Sequence, residues 1–128
     1  MFVRSMKFEE RDVCLKMLLN EGIDESRNLK FGLNTYVLED GSNIIGFFHF
    51  IFEKVGYPVL MNFCIKKSHR DTRKARYLMS KYLDLIETIG YKKTVIVASK
   101  YLDKIIRRYF KVDPYGENEK SYYYLVEV

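Results

Sequence analysis

The sequence predicts an α/β (α+β) domain over residues 1–128, built on a mixed, mostly antiparallel sheet of roughly six to seven strands with helices on both faces. Three observations carry this expectation. Apolar runs at 35–39, 44–53 and 59–66 are separated only by short turn-rich stretches, the pattern of an antiparallel meander. The most regular helical pattern of the chain then leads into the β-branched run Thr94-Val95-Ile96-Val97-Ala98. A helical crossover returns the chain parallel to the strand it left, so one parallel pair is expected between 59–66 and 94–98. Finally, 128 residues suffice for one core without disulfide or metal support.

Residues 1–7 read as a short first strand. From 8 to 20 the period turns helical, with Val13, Cys14, Met17 and Leu18 on one face. Asn20-Glu21-Gly22 is a stop signal, because glycine takes the left-handed cap without a Cβ penalty. Residues 24–34 are polar and read as either a second short helix or a loop. Asp40-Gly41-Ser42-Asn43 and Lys54-Val55-Gly56-Tyr57-Pro58 have turn composition. The strands at 44–53 and 59–66 are apolar on both faces, so they belong in the middle of the sheet. Ala75, Leu78, Met79, Tyr82, Leu83 and Ile86 recur at i, i+3, i+4, i+7, i+8 and i+11, one stripe of a helix ended by Gly90. Leu102, Ile105, Ile106 and Tyr109 mark a last helix, stopped by Asp113-Pro114. Residues 122–128 form a terminal strand, hairpinned or paired with the strand before it.

At 48% hydrophobic and 30% charged, the chain reads as folded rather than disordered. Its aromatics include no Trp, so Tyr and Phe rings fill much of the core. Cys14 and Cys64 sit inside apolar patterns, as buried thiols of a reducing, cytoplasmic compartment do. With no CxxC pair or His/Cys cluster, no metal site is expected. Met1-Phe2-Val3-Arg4 lacks the apolar core of a signal peptide, and no apolar run approaches the ~20 residues of a membrane span. The net charge of +5 suits an anionic partner, and a solvated surface explains it equally well.

The most informative stretch is Ile65-Lys66-Lys67-Ser68-His69-Arg70-Asp71-Thr72-Arg73-Lys74-Ala75. A central strand ends in a basic loop that opens directly onto a helix. Free amides and the positive end of a helix dipole hold phosphate at such a place, which is also where ligands collect in sheets of this kind. A merely solvated basic loop is the alternative.

The order of strand, helix, three-stranded meander, basic loop, helix, parallel strand, helix and terminal strand resembles that of the GCN5-related N-acetyltransferases (GNATs) over almost the whole chain. In that family a loop of the form Arg/Gln-x-x-Gly-x-Gly/Ala holds the pyrophosphate of acetyl-CoA on its backbone amides. Here the segment is Arg70-Asp71-Thr72-Arg73-Lys74-Ala75, with Arg73 in place of the middle glycine. The loop is also similar to His-Arg-x-x-Arg-x-Ala loops of small bacteriophage-encoded GNAT-like proteins. A second family pattern, Asn-x-x-Ala-x-x-x-Tyr-x-x-x-Gly-Phe, keeps its Tyr as Tyr109. Leu102, Ile105 and Asp113-Pro114 stand at its other positions.

The resemblance implies an acetyl-CoA-dependent N-acetyltransferase that acts on a primary amine by direct transfer. Main-chain amides around Cys64 and Ile65 are then expected to align the pantetheine arm. Arg70, Arg73 and Lys74, with amides from Asp71 through Thr72 to Ala75, are expected to hold the pyrophosphate. The acetyl end enters where the parallel pair splays, and Tyr109 protonates the departing thiolate. His49, which shares a strand face with Glu53, is a candidate base. Core packing is the alternative for both Tyr109 and His49. The departures at Arg73, Leu102 and Asp113-Pro114 carry a second reading, a GNAT-fold structural or interaction protein without catalysis, for example in a phage particle. A third is nucleic-acid binding, with Tyr122-Tyr123-Tyr124 stacking on bases beside Lys120.

Overall fold

The computed structural model describes residues 1–53 and 56–128; Lys54 and Val55 of the turn expected at 54–58 lie outside the described residues. Strands β1 (Phe2–Ser5), β2 (Phe31–Asp40), β3 (Asn43–Phe52), β4 (Pro58–Ile65), β5 (Lys93–Ala98), β6 (Gly116–Glu117) and β7 (Tyr122–Glu127) form one sheet in the order β1-β2-β3-β4-β5-β7-β6. Every neighbouring pair is antiparallel except β4 and β5, the parallel pair expected from the crossover. Helices α1 (Arg11–Leu19), α2 (Thr72–Thr88) and α3 (Lys100–Phe110) cover it. No helix among the described residues is long and apolar enough to cross a membrane.

Strand alternation decides which helix covers which face. Phe47 and Cys64 turn toward α1 and pack with Cys14, Leu15, Met17 and Leu18. Phe48, Phe63 and Ile65 turn the other way, onto Leu78, Met79, Tyr82 and Ile86 of α2 and Leu102 and Ile106 of α3. The fully buried Tyr82 hydroxyl meets Thr94 Oγ1 at 2.7 Å, and Thr94 in turn donates to the Pro58 carbonyl at 2.8 Å. That relay pins α2 to the start of the β4–β5 pair.

Three local expectations change. Val13 is 43% exposed and Leu15 takes its place in the core. At about 100° per residue the buried arc runs from Met17 through Cys14 and Leu18 to Leu15, and Val13 falls outside it. The ambiguous 24–34 segment is a loop that becomes β2 at Phe31, ahead of the expected start at 35. Phe31 anchors this early start, with its ring edge-on to Phe47 at 5.9 Å. Helix α3 ends before Asp113-Pro114, because Lys111 adopts φ 54°, the left-handed cap. The stop at Gly22 is as expected: φ is 78°, and the Ile23 amide returns to the Leu18 carbonyl at 2.9 Å.

A bulge shapes the centre of the sheet. Against β3, His49 pairs with Asn62 but Phe50 pairs with Leu60, which leaves Met61 as the extra residue. The bulge turns Asn62 onto the α1 face with His49. Immediately beyond it the parallel pair parts: β4 and β5 are in register only at Val59–Val95 and Leu60–Ile96.

Candidate functional site

The parting of β4 and β5 opens a cleft of about 310 Å³. Met61, Asn62, Phe63 and Cys64 line one wall, and Val97, Ser99 and Tyr101 line another. The loop after α1 contributes Glu21, Asp24 and Glu25, and Lys120 and Ser121 close the rim from the β6–β7 turn. A second depression of about 290 Å³ lies between the start of α2 and the outer side of α3. Its walls are Arg70, Asp71, Thr72, Ala75 and Arg76 on one side and Tyr101, Lys104, Ile105, Arg108 and Tyr109 on the other. Cleft and groove share Arg70 and Tyr101.

Arg70 is therefore a wall rather than an open phosphate ligand. Its Nε donates to the Ile65 carbonyl at 2.9 Å, and its Nη2 donates to Glu21 Oε1. The guanidinium lies 3.9 Å over the Tyr101 ring. One planar fork thus ties the end of β4, the end of α1 and the first turn of α3 together, a geometry that needs arginine rather than lysine. This corrects the expectation that Arg70 would point its charge at a ligand: the donors are committed inside the fold. The Ile65 carbonyl, one polar group of the open β4 edge, is committed with them.

The α2 N-terminus is partly filled as well. The Asp71 side chain caps it, accepting from the Lys74 amide at 2.7 Å and from Lys74 Nζ at 2.8 Å. The Ala75 amide returns to the Asp71 carbonyl at 3.3 Å. So Lys74 and Ala75 do not offer the amides expected of them, and the Asp71 carboxylate already serves the helix dipole. These bonds to Lys74 hold the Asp71 carboxyl below its usual range. The amides of Thr72 and Arg73 have no partner among the described residues, and the Arg73 side chain is exposed. Arg76, Lys104 and Arg108 are exposed on the groove walls. Sequence reasoning missed them. Lys104 and Arg108 sit at i and i+4, which puts them on one side of α3, but nothing local says that this side faces Arg76.

Tyr109 is neither core nor cleft. It is 37% exposed and lines the groove, because the C-terminal end of α3 runs away from the splay. The tyrosine at the splay is Tyr101, at the other end of α3, where the Ser99 side chain caps the helix. Burial pushes the Tyr101 hydroxyl up to about 12, against the opposing pull of Arg70, so it stays protonated.

His49 is 2% exposed, packs 5.1 Å from the Phe31 ring and lines neither cavity. Its Nδ1 meets Thr35 Oγ1 at 3.0 Å, and Thr35 donates onward to the Leu33 carbonyl at 3.4 Å. Its other ring nitrogen, Nε2, is buried with no hydrogen-bond partner. Burial lowers its pKa and holds the ring neutral. As a base for the cleft it is displaced, since the strand turns it into the α1-side core. Its cross-strand partner Asn62 does line the cleft, and Asn62 Oδ1 is buried without a partner too. Cys64 is buried against α1, and desolvation pushes its thiol up to about 11, which removes nucleophilic character.

No protein-family model matches the chain, and no curated protein matches it in sequence. Solved structures match it in fold. Ard1 from Thermoplasma volcanium superposes with a TM-score of 0.77 at 15% identity, over 99% of this chain and 97% of its own. An acetyltransferase of the GNAT family from Bacillus cereus gives 0.75 at 14% identity, over 98% of this chain and 96% of that one. N-acetylglutamate synthase from Neisseria gonorrhoeae, solved with coenzyme A and N-acetyl-glutamate, gives 0.73 at 13% identity over 98% of this chain. This chain spans about a third of that synthase, 34% of its length. The chain has the fold of the GNAT acetyltransferases, with the parallel pair and its splay in the middle of the sheet.

Proposed function

We propose that the protein is an acetyl-CoA-dependent N-acetyltransferase that acts on a primary amine by direct transfer. The observation that carries this reading is the pairing of two cavities across one wall. A cation-lined groove at a helix N-terminus meets, at Arg70 and Tyr101, a cleft opened by the parting of β4 and β5. Coenzyme A is bound in the solved synthase of like fold.

The Thr72 and Arg73 amides, with Arg76, Lys104 and Arg108, receive the phosphates. Lys74 is held by Asp71 and contributes charge only at longer range. The thioester end passes the Tyr101 edge into the cleft. There the amine nitrogen attacks the acetyl carbonyl carbon; the N–C bond forms, the C–S bond breaks, and CoA leaves as a thiolate. The thiolate takes its proton from the Tyr101 hydroxyl, which regains one from solvent, and the amine sheds its proton to water in the cleft. Most of the rate comes from holding the two reactants together, so no covalent intermediate on the protein is needed.

One observation favours a second reading, a GNAT-fold interaction protein without catalysis: the Asp71 carboxylate occupies part of the helix N-terminus that a pyrophosphate would use. Titration with acetyl-CoA separates the two. A ligand at about a hundred times its Kd stabilises a protein by roughly 2.7 kcal/mol, a clear rise in melting temperature. A rise together with amine-dependent release of CoA thiol supports the enzyme; no rise at millimolar acetyl-CoA sinks it.

A further inference from the structure

The α1-side wall of the cleft differs in chemistry from the groove. Glu21 is neutralised by Arg70, but Asp24 and Glu25 make no salt bridge among the described residues. Asp24 accepts from the amide and hydroxyl of Ser26, which keep its carboxyl below its ordinary value. Glu25 accepts from Asn28 Nδ2 at 3.0 Å. Both carboxylates are thus held by their own loop. Arg27 follows them in that loop, and Lys120 lies on the opposite rim. Deeper in the same cleft Asn62, 7% exposed, carries a buried acceptor oxygen with no donor to meet it. An unpaired buried acceptor costs stability unless a ligand satisfies it. The cleft therefore offers acceptors at two separate points and calls for N–H donors at both.

Resting on the N-acetyltransferase reading, we propose that the acceptor is an aliphatic diamine or longer polyamine. The reacting nitrogen lies at Asn62, whose oxygen accepts its N–H and orients its lone pair toward the thioester. The second ammonium is held by Asp24 and Glu25. A carboxylate-bearing acceptor meets repulsion at the same place, which is discrimination by an unfavourable contact rather than by shape.

The test compares 1,4-diaminobutane, butylamine and glutamate as acceptors for the intact chain with acetyl-CoA, reading released CoA thiol. The expected kcat/KM for diaminobutane exceeds that for butylamine by about tenfold or more, with glutamate below both. In the double variant Asp24→Asn/Glu25→Gln, that ratio falls about tenfold through the KM for diaminobutane. Calorimetry of diaminobutane into the CoA-loaded protein provides a readout independent of turnover, and the double variant weakens that binding by the same factor. Equal use of butylamine and diaminobutane, a preference for glutamate, or a ratio that survives the double variant overturns the diamine proposal alone. Failure to bind acetyl-CoA in the same samples overturns the enzyme reading and this proposal with it.

Discussion

The groove and the cleft stand back to back on Arg70 and Tyr101, yet their chemistry is opposite. On the groove side Arg76, Lys104 and Arg108 line an exposed basic surface, and free helix amides point outward. On the cleft side Asp24 and Glu25 and the orphaned Asn62 oxygen offer acceptors. With a screening length of about 8 Å at physiological salt, each set of charges acts mainly on its own side of the wall. An anionic ligand and a cationic one can therefore be held close together without competing, and they meet only where the wall ends. The lesson of the comparison is that Arg70 earns its position as a divider, because its own charge is spent on Glu21.

The largest test of this separation is the triple variant Arg76→Ala/Lys104→Ala/Arg108→Ala. With exposed ion pairs worth up to about 1 kcal/mol each, acetyl-CoA affinity falls about 100-fold, and added salt mimics the loss. Calorimetry with acetyl-CoA and then with diaminobutane checks it; an equal loss for both ligands would break the comparison. Next in size is Arg70→Ala, which leaves Glu21 and the Ile65 carbonyl without their donor. We expect a loss of about 2 kcal/mol in thermal or urea unfolding, and Arg70→Lys recovers only part of it. Unchanged stability would mean that the wall is not structural.

Tyr101→Phe should lower kcat about tenfold with a smaller effect on the KM for acetyl-CoA, below the usual range for a general acid because a thiolate leaves readily. Because the Tyr101 hydroxyl is pushed up to about 12, no loss of rate from its ionisation is expected below roughly pH 11. Tyr109→Phe, out in the groove, should act on KM instead. If the two variants exchange roles, the acid has been assigned to the wrong end of α3.

The smallest effect is that of Asp71→Asn, which removes an anion from the groove and should raise acetyl-CoA affinity about twofold. It also tests a sign. The folded-state pKa of Asp71 is depressed from 3.8, so its stabilising contribution is present above that value and is lost as pH falls below it. The variant lacks this contribution at every pH, so its stability should fall less steeply than that of the parent protein as pH drops through 3.8.

What the sequence by itself determined was the frame. The stripe from Ala75 to Ile86 specified α2, the short turns specified the β2–β3–β4 meander, and the length of the crossover specified a parallel return to β5. Such features depend on periodicity and chain connectivity, which a linear string carries in full. The site was only half legible. The position of the basic loop could be read, but Arg70's partners could not: Glu21 lies 49 residues away, and Tyr101 is on another helix. The bulge at Met61, which turns Asn62 toward the cleft, leaves no mark in a run that is apolar on both faces. Likewise Arg76, Lys104 and Arg108 read as ordinary solvated charges until two helices bring them to one groove. Tertiary structure alone decided which charges are spent and which remain free, because hydrogen bonds and ion pairs form by distance and orientation in space, and neither is encoded in spacing along the chain.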